Sequence, residues 1–438
     1  LKYNELNGNN IWSYNFNGVG DFNDKVQAVV SDAANNVYVT GYSYMPERRR
    51  DMFTAKYNSS GNLLWMNYYD FSQSDDEGKS IALDTAGNLF VCGNSIGNGT
   101  SDDYVIVKYS NAGDSLWSTR YDFNSEADVA VSLCINSAGN VFVTGYSDAN
   151  QSSFVTDYDI TTLKLNGLNG NLVASARYGN LNVADRGVKV VASGSNVVVT
   201  GRLNNGLNED VITIKYTGAL SESWHTIYSG PANGDDQPRD MVMDGTTIFV
   251  AGQTMNPNGN DDFLLLKYSS AGVQTLATTY NGTGNGTDRA YGIAVNTSGV
   301  YLTGRSASAS INDSADFYTL KLNKTNGNII WSDRYSNSSF DRANSIALNN
   351  DGTVYVSGES SDAISGSDFA TIMYDTYGVR NWVTRYDGGI NGEDVARIVN
   401  TSPNGFLYVA GYSTHSAASQ YDGTLLKYCP TPLANAGA

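Results

Sequence analysis

Cysteine and histidine are scarce in this sequence, at 3 and 2 residues of 438. Cys92, Cys134 and Cys429 have no CxxC or CxxxC spacing, and an odd count cannot close a disulfide framework. Cys92 and Cys134 read as buried strand residues, whereas Cys429 ends the last strand, in a position to pair with something beyond the chain. With histidine limited to His225 and His415, a histidine-based triad or a His-rich metal site has no support. Positive charge is also in short supply. The 27 basic and 44 acidic side chains give a formal net charge of −17, so nucleic acid is not an expected partner. No apolar run approaches the roughly 18 residues of a membrane helix, and membrane insertion is not expected. Residue 1 opens inside a strand-like pattern without a basic, apolar leader, which places any export signal outside this chain.

Turn and strand material is abundant instead. Gly (45), Tyr (30) and many Asn, Ser and Thr accompany 41% hydrophobic residues, the composition of short strands joined by tight turns. A repeat organises it. A strand ending in Lys-Tyr or its equivalent closes at Tyr3, Tyr57, Tyr109, Leu165, Tyr216, Tyr268, Leu322, Tyr374 and Tyr428, at intervals of 51 to 56 residues. All six tryptophans (Trp12, Trp65, Trp117, Trp224, Trp331, Trp382) fall at one repeat position, with Ala174 and Leu276 filling the other two. Each period holds four short segments, such as 80–83, 89–92, 104–109 and 115–121, separated by turn sequences and without helical spacing. The unit is a four-stranded meander, its strands named A to D in chain order. Eight such units predict an all-β, eight-bladed β-propeller of four-stranded antiparallel blades.

Every unit ends strand B with a glycine: Gly41, Gly93, Gly145, Gly201, Gly252, Gly304, Gly358 and Gly411. A side chain there is expected to collide with a neighbouring strand, or the backbone to bulge. The tryptophan of strand D is expected to pack between adjacent blades. The chain ends on strands A, B and C, so residues 10–16 are expected to supply strand D to the C-terminal blade and close the ring. Residues 1–3 duplicate residues 426–428, and one copy must be displaced or add at an edge. The expected organisation is one propeller over 1–428, followed by a linker, 429–438, toward a further domain outside the chain.

The segments Asp-x-Phe-x-x-Lys-Tyr (51–57), Gly-Asn-x-x-Trp (61–65) and Gly-Asn-Val-Phe-Val-Thr-Gly-Tyr-Ser (139–147) recur in register. On these motifs the chain resembles the SBBP-type beta-propeller repeat family over about residues 1–428. The resemblance implies a secreted or surface-attached bacterial multidomain protein, extracellular or on the cell surface. The small residues of 430–438 are similar to the lead-in to an immunoglobulin-like module of proteins exported by the type IX system.

Two sets of aspartates recur in all eight units. The first precedes strand A: Asp24, Asp76, Asp128, Asp185, Asp236, Asp288, Asp341 and Asp394. The second opens strand C: Asp51, Asp103, Asp159, Asp210, Asp262, Asp316, Asp368 and Asp422. The D–A and B–C connections of a meander share one face, which is therefore expected to be acidic. There each Asp accepts backbone N–H bonds in its own turn, pairs with strand C lysines or with Arg186, Arg289 and Arg342, or ligates calcium through its hard oxygens. Calcium is the one cofactor this pattern suggests, with the first set as its ligands.

Residues 93–97 match GxSxG, yet Ser95 holds the repeat place of Ser43, Ser147, Ser306, Ser360 and Ser413 and no helix follows, so no catalytic role is expected. Variation among repeats points to a binding surface in the B–C loops. The candidate binding residues are Tyr42, Arg48, Arg49, Arg50, Tyr146, Tyr158, Arg202 and Tyr412, whose rings and polar groups suit a surface glycan or a protein. The expected function is a non-catalytic extracellular binding or adhesion module of a larger protein, presenting an acidic loop face. The alternatives are a structural module of a surface fibre and a polysaccharide-degrading propeller enzyme.

Overall fold

The computed structural model describes residues 8, 10–18, 22–46, 49–149, 157–307, 315–337, 340–362, 366–415 and 420–429. Residues 1–3 and 430–438 and Arg48, which carry expectations above, lie outside the described residues. Among the described residues, 32 strands form eight four-stranded antiparallel sheets. The first blade is β2 (Asp24–Ser31), β3 (Val37–Tyr44), β4 (Arg50–Tyr57) and β5 (Leu63–Tyr69), in that spatial order. The A strands of successive blades contact one another and line the axis; strands B and C are almost wholly buried, and strand D is half exposed on the outside. The core is therefore distributed between blades. Tyr38, Met52, Leu89 and Val105, for example, pack together from the first two blades.

The ring closes as the strand count requires. β1 (Asn10–Phe16) pairs antiparallel with β32 (Tyr421–Tyr428), completing a sheet with β31 (Leu407–Thr414) and β30 (Val395–Thr401). The eighth blade thus has a chain break where the others have a C–D turn. Gly8 stands in for that turn: it has φ +66° and lies against the Trp382 ring, as Gly61 (φ +84°) lies against Trp12 and Gly113 (φ +98°) against Trp65.

Both expectations for the strand B glycine hold together. A Cβ on Gly41, Gly93, Gly145, Gly304, Gly358 or Gly411 would sit 1.8–1.9 Å from a carbonyl oxygen of strand A. Beside each glycine the A–B ladder skips one residue: after Val26 in the first blade, Gly78 in the second and Ala130 in the third. The skipped residue is a β-bulge, unpaired and free to point its side chain out of the ladder. Replacing Gly93 by Ala, with Glu77 O 1.8 Å from the new Cβ, is expected to cost about 1–3 kcal/mol or more of unfolding free energy in a denaturant titration. Gly423→Ala, whose Cβ meets nothing closer than 3.3 Å, is expected to cost far less.

Candidate functional site

The first aspartate set lies inside the protein. All eight side chains are fully buried. One carboxylate oxygen of each accepts a backbone N–H from its own D–A loop, from Gly18, Phe71, Phe123, Asn180, Gly230, Gly282, Asn337 and Gly388, at 2.5–3.0 Å. Asp185, Asp288 and Asp394 also accept the N–H groups of Asn204, Ala307 and Thr414 at the end of strand B, and Asp236 and Asp394 take the hydroxyls of Thr254 and Ser413. Four of the carboxylates thus tie the D–A loop to the end of strand B, while the second oxygen of Asp24, Asp76, Asp128 and Asp341 is buried without a hydrogen-bond partner among the described residues.

The second set has guanidinium partners that sequence reasoning did not name. Arg120, Arg177, Arg334 and Arg385, on strand D, reach Asp103, Asp159, Asp316 and Asp368 of their own blades. Strand C lysines do not pair with the aspartates as one expectation held. Lys56, Lys108, Lys164, Lys215, Lys267, Lys321 and Lys427 instead donate to C–D turn carbonyls of the next blade. The reason is register: an extended strand sends residues five apart to opposite sides. Two acidic triplets do gather, Asp103 with Asp122 and Asp128, and Asp368 with Asp387 and Asp394, their oxygens within 4.8 Å. In both, an arginine already supplies the countercharge. Ser95 is buried in the same arrangement, against Arg120. His225 bonds Glu222 on an outer strand, and His415 bonds Gly388 O at 2.5 Å beside the D–A loop.

The chemically varied side chains meet elsewhere, around the axis on the D–A and B–C face. Three aromatic pairs stand there: Tyr42 with Tyr44 at 5.8 Å between ring centres, Tyr146 with Tyr158 at 4.8 Å, and Tyr412 with Tyr421 at 4.9 Å. Each carries a cation. Lys25 sits 3.8 Å from the Tyr412 ring centre and 4.4 Å from Tyr421, Arg186 5.4 and 5.3 Å from Tyr146 and Tyr158, and Arg50 5.5 Å from Tyr42. Arg50 is also clamped by Asp75 at 2.9 Å, and Arg202 faces Glu209 at 3.7 Å. Of the candidate residues, Tyr42, Arg50, Tyr146, Tyr158, Arg202 and Tyr412 thus occupy this axial mouth. Arg49 lies outward, by a small cleft with Met45, Asp51 and Asp70.

Sequence reasoning missed the bulge residues. Gln27, Arg239, Tyr291 and Arg397 are skipped by the ladder and line the mouth, with Arg305 and Glu359 from strand B beside them. The available signal was a charged or aromatic residue at one place in an otherwise apolar or small strand A. The expected acidic face is accordingly acidic mainly in its buried turn carboxylates, whereas the mouth concentrates cations.

Residues 64–99 match the family model described as SBBP, Beta-propeller repeat. The match runs from strand D of the first blade through strands A and B of the second. No curated protein sequence matches the chain. Among solved structures, it is similar to the periplasmic gluconolactonase of Pseudomonas aeruginosa, with a TM-score of 0.50 and 13% identity over 82% of this chain and 95% of that one. It is also similar to a candidate 6-phosphogluconolactonase of Bacteroides uniformis, with a TM-score of 0.43 and 14% identity over 76% of this chain and 94% of that one. At these identities the likeness is one of fold.

The buried aspartates give stability a pH dependence. Burial, outweighing their hydrogen-bond donors, pushes Asp24, Asp76 and Asp128 up to about 7 and Asp185 up to about 6. In the unfolded chain such carboxyls titrate near 4, so between about pH 4 and 7 the folded protein holds more protons and loses stability as pH rises. Tm is expected to fall between about pH 5 and 7 and then level off; a Tm rising over that window would mean that the donors keep these groups ionised. Tm measured in calcium against chelator decides between the two readings of these aspartates: a rise of several degrees with calcium would make them metal ligands, and an unchanged Tm leaves them as turn hydrogen-bonders.

Proposed function

We propose that this propeller is a binding module of a secreted or cell-surface protein, taking a glycan at the axial mouth. The observation that carries it is the contrast between scaffold and mouth. Turn aspartates, strand B glycines and strand C lysines recur from blade to blade, while the mouth presents different side chains at each blade on one shared face. Paired tyrosines offer flat rings for sugar faces. The GxSxG serine, Ser95, is buried in strand B against Arg120 and gives no support to a serine-hydrolase reading.

A second reading, a structural module joined to its neighbours through its edges, has one observation behind it. Ile11, Leu64, Leu116, Val173 and Ile330, each directly before the tryptophan position on strand D, are 49–53% exposed. Four of them lie on consecutive blades, forming an apolar arc on the outer rim. The two readings separate in one experiment. On a glycan array followed by titration, Tyr158→Ala and Tyr421→Ala are each expected to weaken binding about tenfold or more with Tm little changed. A protein that binds no glycan and forms oligomers broken by Leu116→Lys would favour the second reading.

A further inference from the structure

The axial mouth is divided by chemistry, tyrosines on the eighth, first and third blades and arginines on the fourth to seventh. Arg239 and Arg342 lie 5.6 and 5.7 Å from the Tyr291 ring centre, and Arg305 and Arg342 lie 5.9 and 6.0 Å from that of Phe340. Arg289 pairs with Asp261 at 2.7 Å and Arg342 with Glu359 at 2.6 Å. Arg239 makes no salt bridge among the described residues; it donates to the amide oxygens of Gln237 and Gln253 at 3.0–3.2 Å. Arg305 makes no ion pair or hydrogen bond among the described residues, and its Nε, like those of Arg202 and Arg342, is buried without an acceptor.

Such crowding is unfavourable in the folded protein alone. Burial, followed by the repulsion of Arg202 and Arg289, pushes Arg239 down to about 10, and burial with Arg289 and Arg342 lowers Arg305. Asp261 offsets part of this for both arginines and Glu359 lies near Arg305, yet neither Arg239 nor Arg305 has a salt-bridge partner among the described residues. A guanidinium fork matches a carboxylate two hydrogen bonds at a time, and a carboxylate would replace the neutral amide oxygens that Arg239 now holds. The Tyr291 and Phe340 rings beside them give flat apolar walls, and a polar cleft of about 330 Å³ lined by Gln237, Gln253, Asp261 and Arg289 adjoins them.

We propose that this half of the mouth binds the carboxylate of an acidic saccharide, a uronate unit, through Arg239 and Arg305. The inference rests on the mouth being the ligand face and adds the ligand's chemistry. The rings and amides fit the sugar that carries the charge, which a bare phosphate would leave unused.

Calorimetric titration of the whole chain with trigalacturonate, its methyl ester and inorganic phosphate tests this. The acid is expected to bind, more weakly as salt rises, and the ester and phosphate about tenfold or more weaker. Arg305→Gln and Arg239→Gln are each expected to weaken the acid about tenfold or more while Tm stays level or rises, because each relieves repulsion. Equal binding of acid and ester, phosphate binding as tight as the acid, no binding of any probe, or both variants binding like the parent would each overturn the proposal. If neutral glycans still bind and Tyr158→Ala still abolishes that binding, the mouth remains the ligand face and only the uronate assignment falls.

Discussion

Adjacent blades are held together where two side chains of one blade meet a single carbonyl of the next. Lys56 Nζ and Trp65 Nε1 both donate to Asn111 O, at 3.1 Å each. Lys108 and Trp117 converge on Gly167 O, Lys215 and Trp224 on Ser270 O, and Lys427 and Trp12 on Ser59 O. The tryptophan ring needs a flat landing, and the turn glycine supplies it, since a Cβ on Gly113 would stand 2.7 Å from the Trp65 ring. The lysine needs company in a buried place. Its turn carbonyl gives a charge-assisted bond, and the face of a strand B aromatic, Tyr38 for Lys56 or Phe90 for Lys108, gives the rest. Where tryptophan is absent, at Ala174 and Leu276, the lysine bond persists.

The seventh blade shows how closely sequence follows this contact. Its strand C carries Met373 where the other blades have lysine. The next blade is the one that closes the ring, with a chain break in place of the C–D turn. Met373 is the strand C position that faces this seam, and it carries no charge to be matched there. Trp382 remains, resting on Gly8. Closure thus reshapes one repeat out of eight, at the position that touches the seam.

Much of this was legible in one dimension because each feature is local and recurs. The period, the tryptophans, the strand B glycines and the use of 10–16 to complete the last blade follow from counting, and the turn aspartates from their neighbours in sequence. What was not legible depends on register and on the ring. The arginines that hold the second aspartate set lie about 17 residues away, on strand D, and only the C–D ladder puts Arg120 beside Asp103. The lysines were read against aspartates of their own blade because the partner carbonyl belongs to the following repeat. Lys25 and Tyr421, or Arg186 and Tyr146, meet only after the strands are wound about one axis.

Net charge is misleading for the same reason. Part of the surplus of acid is spent inside the loops, where thirteen of the sixteen recurrent aspartates are buried at the D–A and B–C connections. Those connections set the rim of the mouth. The strand B glycine then admits a bulge in strand A, and the bulge turns a residue toward the axis without disturbing the ladder on either side. Because that residue is outside the hydrogen-bond register, it is released from the repeat: Gln27, Lys79, Val131, Val188, Arg239, Tyr291, Asn344 and Arg397 share one place and have little in common. A uniform scaffold therefore carries an asymmetric centre, and its chemistry follows from the few positions that closing the ladder leaves unconstrained.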